Sequence, residues 1–291
     1  LLSLKVLSRV RALKSAKLDF KLRDLMQKPT IAGLLGLGES SDASLDGVVK
    51  LNGESQGQSP LFCLHAGMGT LYDYQPLARR LQGVCTVYGL PCRMLTDPHH
   101  CDTSLEAMAD DYASTIRGLQ SQGPYRLLGW SLGGTLAAMI AARLEKQGQE
   151  VSLLALVDPY IPGCGQKSAD DWQKDFVNFA SVILPGVSLE KLDGNEACVK
   201  EPSEEEFAIN LERLIASYDA SGREGYAALG SEELARIFCV ARHLKFLSLQ
   251  TNALPKLRCK ADCWWADGRS QEHRQALEYQ LGQLLRCSIN T

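Results

Sequence analysis

The chain predicts an α/β fold, a mostly parallel sheet covered by helices and interrupted by a long helical insertion. Three observations carry this reading. Between residues 60 and 157, short apolar runs alternate with longer segments of helical periodicity. At one such seam a serine stands between glycines, Gly129-Trp130-Ser131-Leu132-Gly133. Beyond Asp158 the residues up to about 256 read as helix after helix before strand-like runs resume.

Taken in order, residues 1–15, "LLSLKVLSRVRALKS", read as an amphipathic helix. Its Leu2, Val6, Val10 and Leu13 recur at helical spacing. "FKLRDLMQ" reads as a second helix ended by Pro29, and "TIAGLLGL" as a third capped by Thr30. Residues 1–37 thus form a small all-α unit, rich in Lys and Arg on what is read as a solvated face. No methionine, polar lead or cap precedes Leu1, so the chain is expected to begin inside a longer element. Residues 38–57, opening with "GESSDASLDG", are small and polar as a linker should be.

From residue 58 to 291 the strands expected are "PLFCLHA" (60–66), "CTVYGL" (85–90), "YRLLGW" (125–130), "VSLLALV" (151–157), "CKADCWWA" (259–266) and "LLRCSI" (284–289). Helices are expected near 71–82, 104–119 and 132–147. The insertion, about 160–256, contains "DDWQKDFVNFASVIL", "SEEEFAINLERLIASYDA" and "SEELARIFCVARHLKFLSLQ". So long an insertion in a doubly wound sheet points to function, and it is read as a helical lid in preference to a cover for a sheet edge.

Composition narrows the function classes. A formal charge of −3 supplies no basic field for nucleic acid, and the longest uncharged apolar stretch, Thr135–Ala142, is too short to span a bilayer. Neither nucleic acid nor membrane is expected as a partner. The 10 cysteines are scattered through strands and helices, which fits free thiols in a reducing cytoplasm better than a disulfide framework. Cys259 and Cys263 have no second pair or histidine nearby, so no metal site is assigned.

Gly-x-Ser-x-Gly is a weak signal alone, and its setting decides. Here "YRLLG" supplies a strand, Ser131 the turn and "TLAAMIAARLEK" a helix, the arrangement in which a serine is lifted above a sheet as a nucleophile. The glycines leave room for helix and strand to approach. The helix start directs backbone N–H groups at the same spot, so Leu132 N–H is the first expected oxyanion donor. The turn in "LFCLHAGMGT" offers the second, at Gly67, with Ala66 and Met68 as alternatives. His65 precedes the serine, whereas an elbow serine's base should follow it, so His65 is read as orienting or packing the loop.

Asp158 ends the next strand, in "LLALVDPYIPG", and preserves the order serine, acid, histidine. It would orient an imidazole; Asp267 is the competing acid, and a turn cap before Pro159 the structural alternative. A serine hydroxyl needs a base. His243 falls on an inserted helix and His273 one connection too early. The loop after "LLRCSI" should carry the base, so the expectation is a chain cut at both ends, with the catalytic histidine beyond Thr291 and His273 as fallback.

From about Pro60 onward the chain resembles the type I thioesterase domain that ends nonribosomal peptide synthetases. "LFCLHAGMG", "VYGL", "GPYRLLGWSLGGTLA" and "LALVDPY" stand in that family's order, although Ala66 replaces the proline that often follows the histidine. Residues 1–37 are similar to the C-terminal part of a peptidyl carrier domain, "LLSLKVLSRVRA" matching the helix after the phosphopantetheinylated serine. The resemblance implies an α/β-hydrolase fold with an inserted helical lid, preceded by a small all-α carrier remnant. It also implies phosphopantetheine on a carrier serine preceding Leu1, no cofactor in the thioesterase, and upstream carrier and synthetase modules as partners. Its reaction would transfer a peptidyl thioester to Ser131 and release it by hydrolysis or cyclisation. A free-standing carboxylester hydrolase, an editing thioesterase and a non-catalytic carrier-docking module are the alternatives.

Overall fold

The computed structural model describes residues 47–53, 55, 58–97, 99–162, 172–184, 203, 207–212, 229–266 and parts of 275–289. The expected carrier remnant, the linker up to residue 46, Asp267 and His273 lie outside the described residues. What is described divides into two compact units, residues 43–167 with 244–291, and residues 168–243.

The larger unit is built on a sheet whose described strands run in the order β1-β3-β2-β4-β5-β6-β7. They are β1 Val49–Lys50, β2 Gln58–Leu64, β3 Cys85–Leu90, β4 Tyr125–Trp130, β5 Val151–Val157, β6 Lys260–Trp264 and β7 Arg286–Ile289. All pairings are parallel except β1 with β3, where Val49 faces Gly89. The central strands bury residues on both faces, which is why "PLFCL" and "VSLLALV" read as apolar runs and not as alternation.

A 3-10 turn, Tyr72–Tyr74, leads into α1 Gln75–Arg80. Next come the short α2 Arg93–Thr96, α3 Leu105–Leu119 and α4 Leu132–Lys146. Ser104 caps α3 by accepting the Ala107 N–H at 3.0 Å. Helix α4 is buried along nearly its whole length because Gly133, Gly134, Ala137, Ala138 and Ala141 let it lie close to its neighbours. Its one buried carboxylate, Glu145, accepts the Arg258 N–H at 2.9 Å and the Cys259 N–H at 2.6 Å, tying the helix end to the segment entering β6.

Strand β1 corrects the expected linker, because residues 49–53 belong to the sheet unit. The Asn52 side chain reaches the carbonyls of Ala78 and Cys85 at 3.1 and 3.0 Å and accepts the Val87 N–H at 2.8 Å. Val49 and Leu51 pack on the core around Leu61, Cys63 and Tyr74. A strand of two residues is too short for a period-2 signal, its ladder partners Gly89 and Tyr88 lie far along the chain, and the Asn52 bonds beside it reach residues 26 to 35 positions away.

The helical unit contains α5 Trp172–Ile183, a helical stretch at 207–212 and α6 Ser231–Gln250 up to His243. Its core is aromatic. Phe207 and Phe238 lie 4.7 Å apart between centroids, and Trp172 meets Phe238 edge-on at 4.9 Å. The Arg242 guanidinium covers the Trp172 ring at 4.8 Å and pairs with Asp175 at 3.5 Å. No helix among the described residues is long and apolar enough to cross a membrane.

Candidate active site

The order β3-β2-β4 means that the chain leaves β2 toward one edge of the sheet and crosses back to reach β4. Loops at the carboxyl ends of β2 and β4 diverge at such a switch point and open a crevice between them. The loop after β2 carries His65-Ala66-Gly67, and the turn after β4 carries Ser131-Leu132.

Ser131 has φ 53° and ψ −123°, a backbone conformation that a side chain rarely tolerates. Its neighbours hold it there. The Ser131 N–H donates to Val157 at 3.0 Å, and its carbonyl accepts the N–H groups of Gly134 and Tyr160 at 2.9 and 3.0 Å. A Cβ on Gly129 would fall on the Gly133 backbone, and one on Gly133 would meet the Leu64 carbonyl, both inside 3.0 Å. The two glycines are therefore required by the contact of β4 with α4 and of α4 with β2.

Two amides are left over at these strand ends. Leu132 opens α4, so its N–H has no carbonyl within the helix, and among the described residues neither it nor the Gly67 N–H meets an acceptor. A Cβ on Gly67 would find nothing within 4 Å. Gly69, at φ 75°, turns the loop back and sends its N–H to the Ala66 carbonyl at 2.9 Å.

His65 is fully buried. Its Nδ1 stands 2.9 Å from the Ala66 carbonyl, and its Nε2 stands 2.9 Å from the Tyr112 hydroxyl, itself 3.1 Å from the Pro91 carbonyl. Burial lowers its pKa to about 4, only partly opposed by the Ala66 hydrogen bond, so the ring is neutral near pH 7.

Trp130 and Val157 are paired across β4 and β5, and Ser131 and Asp158 are the next residues on each strand. The fold thus brings the two candidates to neighbouring strand tops. Asp158 is half-buried at φ 45°, and its N–H donates to the Trp264 carbonyl at 2.6 Å. His243 lies on α6 within the helical unit. The ligand atoms of His100, Asp102 and Asp111 could converge on a metal, lying within 4.8 Å of one another, but they sit on the β3–α3 connection and on α3.

One participant has no signal in the sequence. Tyr74 looks like a helix residue in "YDYQPLARR", yet its hydroxyl donates to the Leu64 carbonyl at 2.6 Å and accepts the Trp130 N–H at 2.9 Å. Only knowledge that β2 and β4 are neighbours could have singled it out.

The family model described as the thioesterase domain matches residues 59–277. The chain belongs to that family. Malpibaldin synthetase of Mortierella alpina is 39% identical over 217 residues, 72% of this chain and 3% of that protein. This thioesterase domain therefore spans a small part of the length of the curated relatives it matches. Among solved structures, the NocB thioesterase domain in covalent complex with a fluorophosphonate nocardicin G analogue superposes with a TM-score of 0.56 at 22% identity, covering 84% of this chain and 87% of that one. A four-domain nonribosomal peptide synthetase, holo-AB3403 bound to AMP and glycine, gives 0.67 at 19% identity, covering 99% of this chain and 22% of that one. The likeness confirms the expected α/β-hydrolase fold for this thioesterase domain.

Proposed function

We propose that this domain releases the finished chain of a nonribosomal peptide synthetase, with Ser131 as nucleophile, Leu132 and Gly67 N–H as oxyanion donors and Asp158 as the acid that orients the base. The observation that carries the reading is the Ser131 backbone, held at φ 53° at the carboxyl end of β4 with an unmatched amide directly after it. Strain of this kind persists only where the surroundings enforce it.

Ser131 Oγ would attack the carbonyl carbon of a peptidyl thioester while a base takes its proton. The C–S bond then breaks, and the departing phosphopantetheine thiolate takes the proton back. Water, or an amine or hydroxyl of the same chain, attacks the resulting ester and returns a proton to Ser131. Both steps pass through an oxyanion facing the two amides, and each donor would contribute about 3 kcal/mol to the barrier reduction. His65 is excluded as the base because both its ring nitrogens face partners in the interior. Asp158 would hold a base in the correct tautomer without taking its proton.

The domain division we propose is a carrier remnant at 1–37, a linker from 38 that ends before Val49, and the thioesterase beyond it with a lid at about 160–256. Phosphopantetheine would enter on the carrier, as substrate arm and not as a cofactor of the thioesterase, and a cytoplasmic setting would supply it. Relatives that are synthetases and the likeness over 99% of the chain to a multidomain synthetase support this arrangement.

The test is labelling of Ser131 by a fluorophosphonate in the full-length protein, located by peptide mass spectrometry, together with turnover of a peptidyl-pantetheine thioester. Ser131→Ala should abolish both. Labelling that survives the substitution overturns the assignment; turnover of simple carboxylesters in preference to thioesters would favour the carboxylester hydrolase instead.

A further inference from the structure

We propose that His65 is a positioning residue that aims the second oxyanion donor: its Nδ1–H holds the Ala66 carbonyl, and the planar Ala66–Gly67 peptide then directs the Gly67 N–H the opposite way, into the crevice. The inference rests on Ser131 being the nucleophile.

The geometry constrains the peptide tightly. A trans peptide carries its C=O and N–H on opposite sides, so fixing one fixes the other. The Ala66 carbonyl is held by the Gly69 N–H at 2.9 Å and by His65 Nδ1 at 2.9 Å. A carbonyl oxygen can only accept, so Nδ1 must bear the hydrogen. With the ring neutral, Nε2 is left as an acceptor for the Tyr112 hydroxyl at 2.9 Å, and in this tautomer the single phenol hydrogen turns to Nε2 from the Pro91 carbonyl at 3.1 Å.

Position 66 explains why such a device is wanted. Ala66 has a small side chain and Gly67 none, and a Cβ on Gly67 would find nothing within 4 Å, so no side chain at that position steadies the peptide plane. Without the imidazole, one backbone hydrogen bond from Gly69 would be left to resist rotation of that plane. The burial of a polar side chain against its own neighbour's carbonyl is accounted for by this orienting contact and by the Tyr112 bond behind it.

Two substitutions of His65 separate aim from packing. In His65→Asn the amide nitrogen stands where Nδ1 stood and can still donate to Ala66; in His65→Leu nothing can. With the full-length protein, kcat for a pantetheine thioester should fall about 30-fold in His65→Leu with KM within about 2-fold, and His65→Asn should recover most of it. Binding of an alkylboronic acid, whose tetrahedral adduct on serine mimics the oxyanion, should weaken by the same factor. Equal losses in both variants, or a loss carried by KM, would overturn the proposal. So would wild-type boronate affinity and kcat in His65→Leu.

Should His65→Leu not fold, the unmodified protein still decides. With 15N-labelled histidine, His65 should show the Nδ1–H tautomer with Nε2 unprotonated at pH 7, the minor form of a free imidazole; the opposite tautomer rules the mechanism out. A Ser131→Ala protein that still takes up fluorophosphonate would defeat the nucleophile reading instead, whatever tautomer His65 shows.

Discussion

The Tyr74 hydroxyl stands 2.9 Å from the Trp130 N–H, the amide immediately before Ser131, while donating to Leu64 at the end of β2. One phenol thus fastens the strand that leads into the Gly67 loop to the strand that leads into the serine turn. The spacing of the two amides proposed to bind an oxyanion depends on that link.

Tyr74→Phe should therefore do two things. Removing the phenol oxygen from the part-buried Trp130 N–H and from the buried Leu64 carbonyl costs about 2 kcal/mol in a urea titration. Loosening the two loops relative to one another should lower kcat about 10-fold with little change in KM. A stability loss with unchanged kcat would make the tyrosine a structural brace alone.

Ser131 bears backbone strain that an alanine shares and a glycine does not. Ser131→Gly and Ser131→Ala should both be inactive, but the glycine protein should be the more stable by about 1 kcal/mol after its greater unfolded-state entropy is counted. Thermal melts of the two proteins side by side make the comparison. Equal melting would mean that the turn relaxes without the hydroxyl.

Adding a single methyl group should have opposite consequences at two glycines. At Gly133 a Cβ meets the Leu64 carbonyl inside 3.0 Å, backbone against backbone, so Gly133→Ala should cost about 3 kcal/mol or prevent soluble expression. At Gly67 the same group meets nothing within 4 Å, and Gly67→Ala should change stability by less than about 0.5 kcal/mol.

His65 sets a pH dependence of stability. Its folded pKa of about 4 lies below the usual value of 6.5 because burial disfavours the imidazolium. The unfolded chain therefore binds the extra proton between those values. Stability from this group is complete above pH 6.5, declines as pH falls and is lost by about pH 4, on the order of 3 kcal/mol. Subtracting the denaturation curves of His65→Asn from those of the parent across this window should isolate the term; parallel curves would show that His65 does not titrate differently on folding.

Asp158 and Asp267 are told apart by neutralising each. Asp158→Asn should lower kcat about 1,000-fold or more, because an amide stabilises the wrong imidazole tautomer, while Asp267→Asn should stay within about 3-fold. Thioester turnover at saturating substrate is the measurement, and the reverse ranking would move the acid to residue 267.

Much of the fold was legible because its signals are local. The runs at 85–90, 125–130 and 151–157 became strands at those bounds, since strands with most of their side chains at least half-buried leave short, mostly apolar runs. The serine turn was legible for the same reason, its glycines being demanded within five consecutive residues. Strand β1 was missed because two residues carry no period, and Asn52 just beyond it finds its partners 26 to 35 residues away.

By itself the sequence determined the order of strands and helices, the Ser131 turn and the chemical class that turn suggests. All of these follow from short-range sterics and hydrophobic period. Only the tertiary structure decided that β2 lies beside β4, that Tyr74 bridges the ends of both strands and that His65 turns inward to Tyr112. Those contacts join residues 10 to 56 positions apart, and which pairs meet is settled by sheet order and packing, for which no local pattern of residues exists.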